Sequence, residues 1–143
     1  IAKYTALAVL LPVVAGQSGN AGAQALAITM RSLILREITT NQWLKIALKE
    51  FNTGLMNGIL IALTCAVAVF IWSKNIGLSL VITLSMIVSM IIASVAGALV
   101  PIVLKKLRQD PAQSSSIILT TITDVAGFMS FLGIATSLHR FLL

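Results

Sequence analysis

The sequence predicts an all-α polytopic membrane bundle with four spans in this chain, and three observations predict it. Of its 143 residues, 58% are hydrophobic and 10% are charged, whereas a soluble domain carries about 25% charged residues. So few charges cannot cover the large relative surface of a soluble domain this small. Residues 4–30, 51–73 and 75–104 contain no Asp, Glu, Lys or Arg, and each run exceeds the roughly 20 apolar residues that cross a bilayer as a helix. No strand-like alternation of apolar and polar residues appears, as a membrane β-barrel would need. These features exclude a soluble enzyme, a nucleic-acid-binding domain and a disordered segment. The lipid bilayer is the expected partner, and no nucleic acid is expected.

The first span, about 4–34, is apolar except for a central cluster of Pro12, Gly16, Gln17, Ser18, Gly19, Asn20, Gly22 and Gln24. Gly16, Asn20 and Gln24 recur every four residues and share a helix face. Polar side chains in lipid need partners or water. Gly16, Gly19 and Gly22 predict close helix approach, and with Pro12 they predict a bent helix whose backbone can open. The first connection, 35–50, mixes charge with Leu35, Ile38, Trp43, Leu44, Ile46 and Leu48, so it reads as a partly helical interfacial segment. The second span, about 51–73, carries Gly54 and Gly58 at the spacing of a helix-packing pair. Trp43 and Trp72 sit where aromatic rings anchor span ends. The very short connection 73–77 predicts a tight hairpin to the third span, about 77–104. There Ser85, Ser89, Ala93 and Gly97 form a ridge of small residues, followed by Pro101. In the third connection, 107–116, Pro111 stops any continuing helix. Ser114, Ser115 and Ser116 are then the candidate caps for the fourth span, about 116–139.

The net charge of +6 reads as a topology signal rather than as a nucleic-acid site. Arg31, Arg36, Lys45 and Lys49 lie between spans one and two, and Lys105, Lys106 and Arg108 between spans three and four. Only Lys3, Lys74 and Arg140 lie on the other side. The positive-inside rule places the first and third connections in the cytoplasm and both ends of the chain outside, in a plasma or inner membrane. A parent protein that starts in the cytoplasm then needs a further span before Ile1. The chain reads as a single transmembrane domain, residues 1–143, from a longer protein.

Asp124 is the one ionisable side chain well inside a span. A carboxylate at mid-membrane costs on the order of 2.5–3.5 kcal/mol even on lenient insertion scales, and no Lys or Arg lies within two turns to offset it. Thr120 and Thr121 precede Asp124 by four and three residues and share its face, and Gly127 follows. An oxygen-lined surface of this kind suits a hard cation. The absence of thiolates and imidazoles near Asp124 argues against zinc or copper. Cys65, alone in the second span, forms no intrachain disulfide. His139 reads as an interfacial residue, and no catalytic constellation is found. Three classes of function remain at this point. They are a divalent cation channel, a proton- or sodium-coupled transporter of a small solute with Asp124 as the coupling carboxylate, and a membrane scaffold with Asp124 as an assembly contact.

Two stretches carry a family resemblance. One is the run that holds Pro12, Gly16, Gly19, Asn20, Gly22 and Gln24, followed by Arg31 and Glu37. The other is Asp110, Pro111 and Ala112, followed by Thr120, Thr121, Thr123, Asp124 and Gly127. Together they resemble MgtE-type magnesium channels over nearly the whole chain, in the same order. The resemblance implies a homodimer of five-helix membrane domains with a pore near the two-fold axis, this chain corresponding to helices two to five. It implies Mg²⁺ as the transported ion, with no organic cofactor, and Asp124 as the residue that helps hold it. Gly16, Gly19, Asn20, Gln24, Thr120, Thr121 and Gly127 are the pore-lining candidates. It also implies cytoplasmic sensor domains elsewhere in the parent protein. Ile117 stands where the family pattern leads one to expect a proline.

Overall fold

A computed structural model describes residues 2–138. It contains α1 (Ala2–Ile34), a 3-10 turn (Thr40–Gln42), α2 (Trp43–Ser73), α3 (Ile76–Lys106) and α4 (Pro111–Ser137). All four long helices are long and apolar enough to cross a membrane. His139 and Arg140 lie outside the described residues.

Several helix limits differ from the expected ones. Residues 43–50, expected as a separate interfacial segment, form the first two turns of α2. The break lies earlier, where the Thr39 backbone N–H donates to Gln42 Oε1 at 3.2 Å, a reciprocal cap that favours helix onset. Trp43 and Trp72 stand exposed at the two ends of α2, in keeping with anchoring roles. α4 starts at Pro111 rather than near Ser116, because Asp110 is its N-cap and accepts from Ala112 N–H at 2.9 Å. Proline at the first helical position loses nothing, since its N–H would be unpaired there anyway. Pro111 therefore starts α4 as well as ending the connection before it. Substituting Asp110→Ala should destabilise the folded bundle by about 1 kcal/mol, which denaturant titration in detergent would detect. α1 is one uninterrupted helix with Pro12 inside it, so the expected opening of its backbone is not found.

Basic residues close three helix C-termini in the left-handed conformation: Arg36 (φ 57°), Lys74 (φ 52°) and Arg108 (φ 56°). The Glu37 N–H returns to Ser32 O at 3.0 Å and the Gln109 N–H to Leu104 O at 2.9 Å, which satisfies carbonyls that the helix leaves unpaired. A cation at this end also complements the helix dipole.

α3 is the centre of the bundle. α1, α2 and α4 all pack on it, and α1 also packs on α4, whereas α1 and α2 flank α3 without a packed interface between them. The small-residue ridge explains the central position of α3. Ser85, Ser89, Ala93, Gly97 and Pro101 are all buried. A Cβ at Gly97 would overlap the Gly22 carbonyl oxygen and approach Ala25 Cβ to 3.0 Å. A Cβ at Gly54 would come within 2.9 Å of Ile91 Cα, so the Gly54 and Gly58 pair seats α2 on α3. Only Gly22 of the three glycines expected to allow close approach in α1 does so. Gly16 and Gly19 meet nothing within 4 Å of a built Cβ.

Candidate cation site and polar groove

Asp124 lies at the centre of α4, with thirteen residues of Pro111–Ser137 on either side. At 1.5 Å per residue, about 20 Å of helix separates it from each end. The buried stripe of α4 is Ser115, Leu119, Thr123, Gly127, Phe131 and Ala135. Thr123 and Leu119 lie against Gly22, while Gly127 lies against Ala15 and Ser18. This row seats α4 on α1. Asp124, one residue on from Thr123, turns out of that seam and is exposed, as are Thr120 and Thr121. Among the described residues its carboxylate has no hydrogen bond or ion pair.

The hydroxyls beside it have a fixed orientation. Thr120 Oγ1 donates to Ser116 O at 3.1 Å and Ile117 O at 3.0 Å, and Thr121 Oγ1 donates to Ile117 O at 2.9 Å. With their protons engaged on the backbone, their remaining lone pairs are acceptors. Ile117, where a proline is expected, is 71% exposed and supplies the carbonyl that both threonines use. The exposed face of α4 therefore presents acceptor oxygens around one carboxylate, without a nucleophile–base pair. No group of three or more His, Cys, Asp or Glu lies together among the described residues. Asp124 is the one carboxylate that α4 offers on this face.

The candidates on α1 fall elsewhere. Gly127 is buried in the α1–α4 seam, away from the exposed face. Asn20 and Gln24, both exposed, line an open groove of about 240 Å³ with Gln17 and Ala21 of α1, Asn57 and Ile61 of α2, and Met90 of α3. No residue of α4 lines it, so a single chain does not bring Asn20 and Gln24 to Asp124. Gln17 and Asn57 are not among the expected lining residues. An amide isolated in an apolar run, as Asn57 is, was the available signal. The hydroxyls of Ser18 and Ser85 donate to carbonyls of their own helices. Among the described residues, buried Ser89 Oγ has no partner.

Comparison with known proteins gives a consistent answer. A family model described as "MgtE: Divalent cation transporter" matches residues 11–134. The chain is 33% identical over 135 residues to the magnesium transporter MgtE of Bacillus subtilis, covering 94% of this chain and 30% of that protein. It is 32% identical over 141 residues to the magnesium transporter MgtE of Enterococcus faecalis, covering 99% and 31%. It is also 32% identical over 131 residues to the magnesium transporter MgtE of Thermus thermophilus, covering 92% and 29%. The chain thus spans less than a third of the length of these relatives. Its membrane helices, its outward carboxylate and these matches agree: the chain belongs to the MgtE family of divalent cation transporters.

Proposed function

We propose that this chain forms the ion path of a magnesium channel, with hydrated Mg²⁺ passing down its gradient between two copies of Asp124 at a homodimer axis. The observation that carries the reading is the unpartnered, outward-facing carboxylate at the midpoint of α4. A charge in that position is unfavourable facing lipid and favourable facing a water-filled path. Mg²⁺ sheds its waters reluctantly, so a pore that recognises the hydrated ion needs few direct ligands. A two-fold axis beside the exposed α4 face would pair the Asp124 carboxylate of each chain and match the ion's double charge. Thr120 and Thr121 would accept hydrogen bonds from its water shell. Gly16 and Gly19, open in the single chain, leave room for that shell or for the second copy. The relatives are named magnesium transporters, which favours Mg²⁺ as the cargo. By the positive-inside rule, the basic residues of the first and third connections favour a cytoplasmic side for both, in a plasma membrane.

Mg²⁺ uptake by liposomes that hold the full-length protein tests the channel reading. With a Mg²⁺ gradient and no Na⁺ or proton gradient, uptake should proceed, and collapsing any Na⁺ or proton gradient should not stop it. Uptake that requires a Na⁺ or proton gradient would instead make Asp124 a coupling carboxylate.

A further inference from the structure

The first turns of α2 carry charge and apolar surface that the ion path does not use. Glu50 and Gly54 are buried, and Gly54 lies against Met90, Ile91 and Ser94 of α3, which fixes the inner side of the helix. At 3.6 residues per turn, Lys45, Lys49 and Asn52 then lie on the outer side, with Leu44, Leu48 and Phe51 next to them. All six are exposed.

Little in the chain offsets the two positive charges. Among the described residues, neither lysine side chain has a hydrogen bond or an ion pair, and the Asn52 amide has no partner. Glu50, next to Lys49 in the sequence, feels its charge but is only 7% exposed and turns to the inner side. At this end of the bundle, the Glu37 carboxylate accepts from Ser32 Oγ at 3.0 Å and the Asp110 carboxylate from Ala112 N–H at 2.9 Å. Lys45 and Lys49 repel each other at one-turn spacing, and both oppose the positive end of the α2 dipole. An anion beside them relieves both conflicts.

Their depth says which anion. Trp72 stands exposed at the far end of α2, where it anchors one membrane interface. At 1.5 Å per residue, Lys49 is about 35 Å and Lys45 about 40 Å along the helix from Trp72. The hydrocarbon core is about 30 Å thick and the whole bilayer about 40–45 Å. Both ammonium groups therefore lie at the level of the lipid phosphates, while Leu48 and Phe51 reach the edge of the core.

We propose that this face of α2 binds an anionic phospholipid from the leaflet at the basic end of the bundle. The lipid phosphate accepts from Lys45, Lys49 and Asn52, and one acyl chain lies along Leu44, Leu48 and Phe51. A second copy of the same face would set lysine against lysine. A soluble acidic segment would match the charge but leave the apolar residues uncovered. A lipid answers both features.

The test titrates the detergent-purified full-length protein with phosphatidylglycerol, and separately with phosphatidylcholine, and counts bound lipid by native mass spectrometry. The parent protein should bind phosphatidylglycerol more tightly. Lys45→Gln or Lys49→Gln should weaken that binding by about fivefold, and the double variant by about 25-fold. Phosphatidylcholine binding should not change. Lys45→Arg and Lys49→Arg keep the charge and should keep the affinity, and Lys74→Gln, at the other end of α2, should leave it as it is. Equal phosphatidylglycerol affinity in the parent and the double variant overturns the proposal. So does an equal loss for both lipids, because the lysines would then act without regard to lipid charge. A double variant that changes oligomeric state with unchanged lipid affinity also overturns it, by showing that protein covers this face. Mg²⁺ flux through the Asp124 path is a separate measurement, and neither result decides the other.

Discussion

Replacing Asp124 with Asn should abolish most Mg²⁺ conduction while leaving membrane insertion intact. The substitution keeps the size and acceptor oxygen of the side chain but removes its charge, so it separates electrostatics from packing. Two unit charges 4 Å apart interact by about 4 kcal/mol at an effective dielectric of 20. A hydrated divalent ion carries twice that charge one water layer further away, so the loss is of similar size. Each 1.4 kcal/mol is a factor of about ten, so flux should fall by well over tenfold in both Asp124→Asn and Asp124→Ala. Insertion should be unharmed or improved, because a mid-membrane carboxylate opposes it. Asp124 is exposed on α4 and makes no contact that seats the helix, so the bundle should keep its stability. Radiometric or dye-based uptake into liposomes, with helical content measured on the same samples, reads both halves of the prediction. Full flux in the Asn and Ala forms would leave Asp124 as an assembly contact.

Gly97→Leu should break the bundle. Even a Cβ at this position would overlap the Gly22 carbonyl oxygen, a backbone atom that cannot turn aside. Gly22 itself meets Ala93 O, Leu119 Cδ1 and Thr123 Cγ2 at 3.2 Å from a built Cβ, so α1, α3 and α4 all converge there. Separating α1 from α3 would therefore also disturb the seam that positions α4 and Asp124. Overpacking a close-packed core commonly costs about 1–3 kcal/mol. Here the added Cβ meets backbone atoms of Gly22 rather than a flexible side chain, so Gly97→Ala should fall at the upper end and Gly97→Leu beyond it. Thermal unfolding in detergent and yield after size exclusion measure the effect. A Gly97→Leu protein with parental stability would mean that α1 and α3 do not cross at this point.

The four spans and the packing ridge of α3 were legible because both rest on composition at fixed spacing, whereas the central place of α3 in the bundle was not. Charge-free runs set the spans, and the four-residue recurrence of Ser85, Ser89, Ala93 and Gly97 marked the most buried face. Helix starts were less legible. Asp110 and Pro111 read as a stop, and only the geometry of the connection shows that Asp110 caps α4. The first two turns of α2 were hidden because Lys45 and Lys49 make them look interfacial, while their backbone continues into the span. In the site, the isolated charge of Asp124 and its threonine neighbours stood out from sequence. The amides did not sort themselves, because a repeat of four residues places Asn20 and Gln24 on a face but does not say which helix that face meets. Asn57, distant in sequence, decides the matter by lining the same groove.

The most direct measurement of the central claim is the number of divalent ions lost with Asp124. Mn²⁺ binding to the full-length protein and to its Asp124→Asn form, measured by equilibrium dialysis at equal concentration, gives that difference. A site shared between two copies at a dimer axis predicts that Asp124→Asn removes one ion for every two chains. Loss of one ion per chain, or of none, would contradict a shared path between two copies of Asp124.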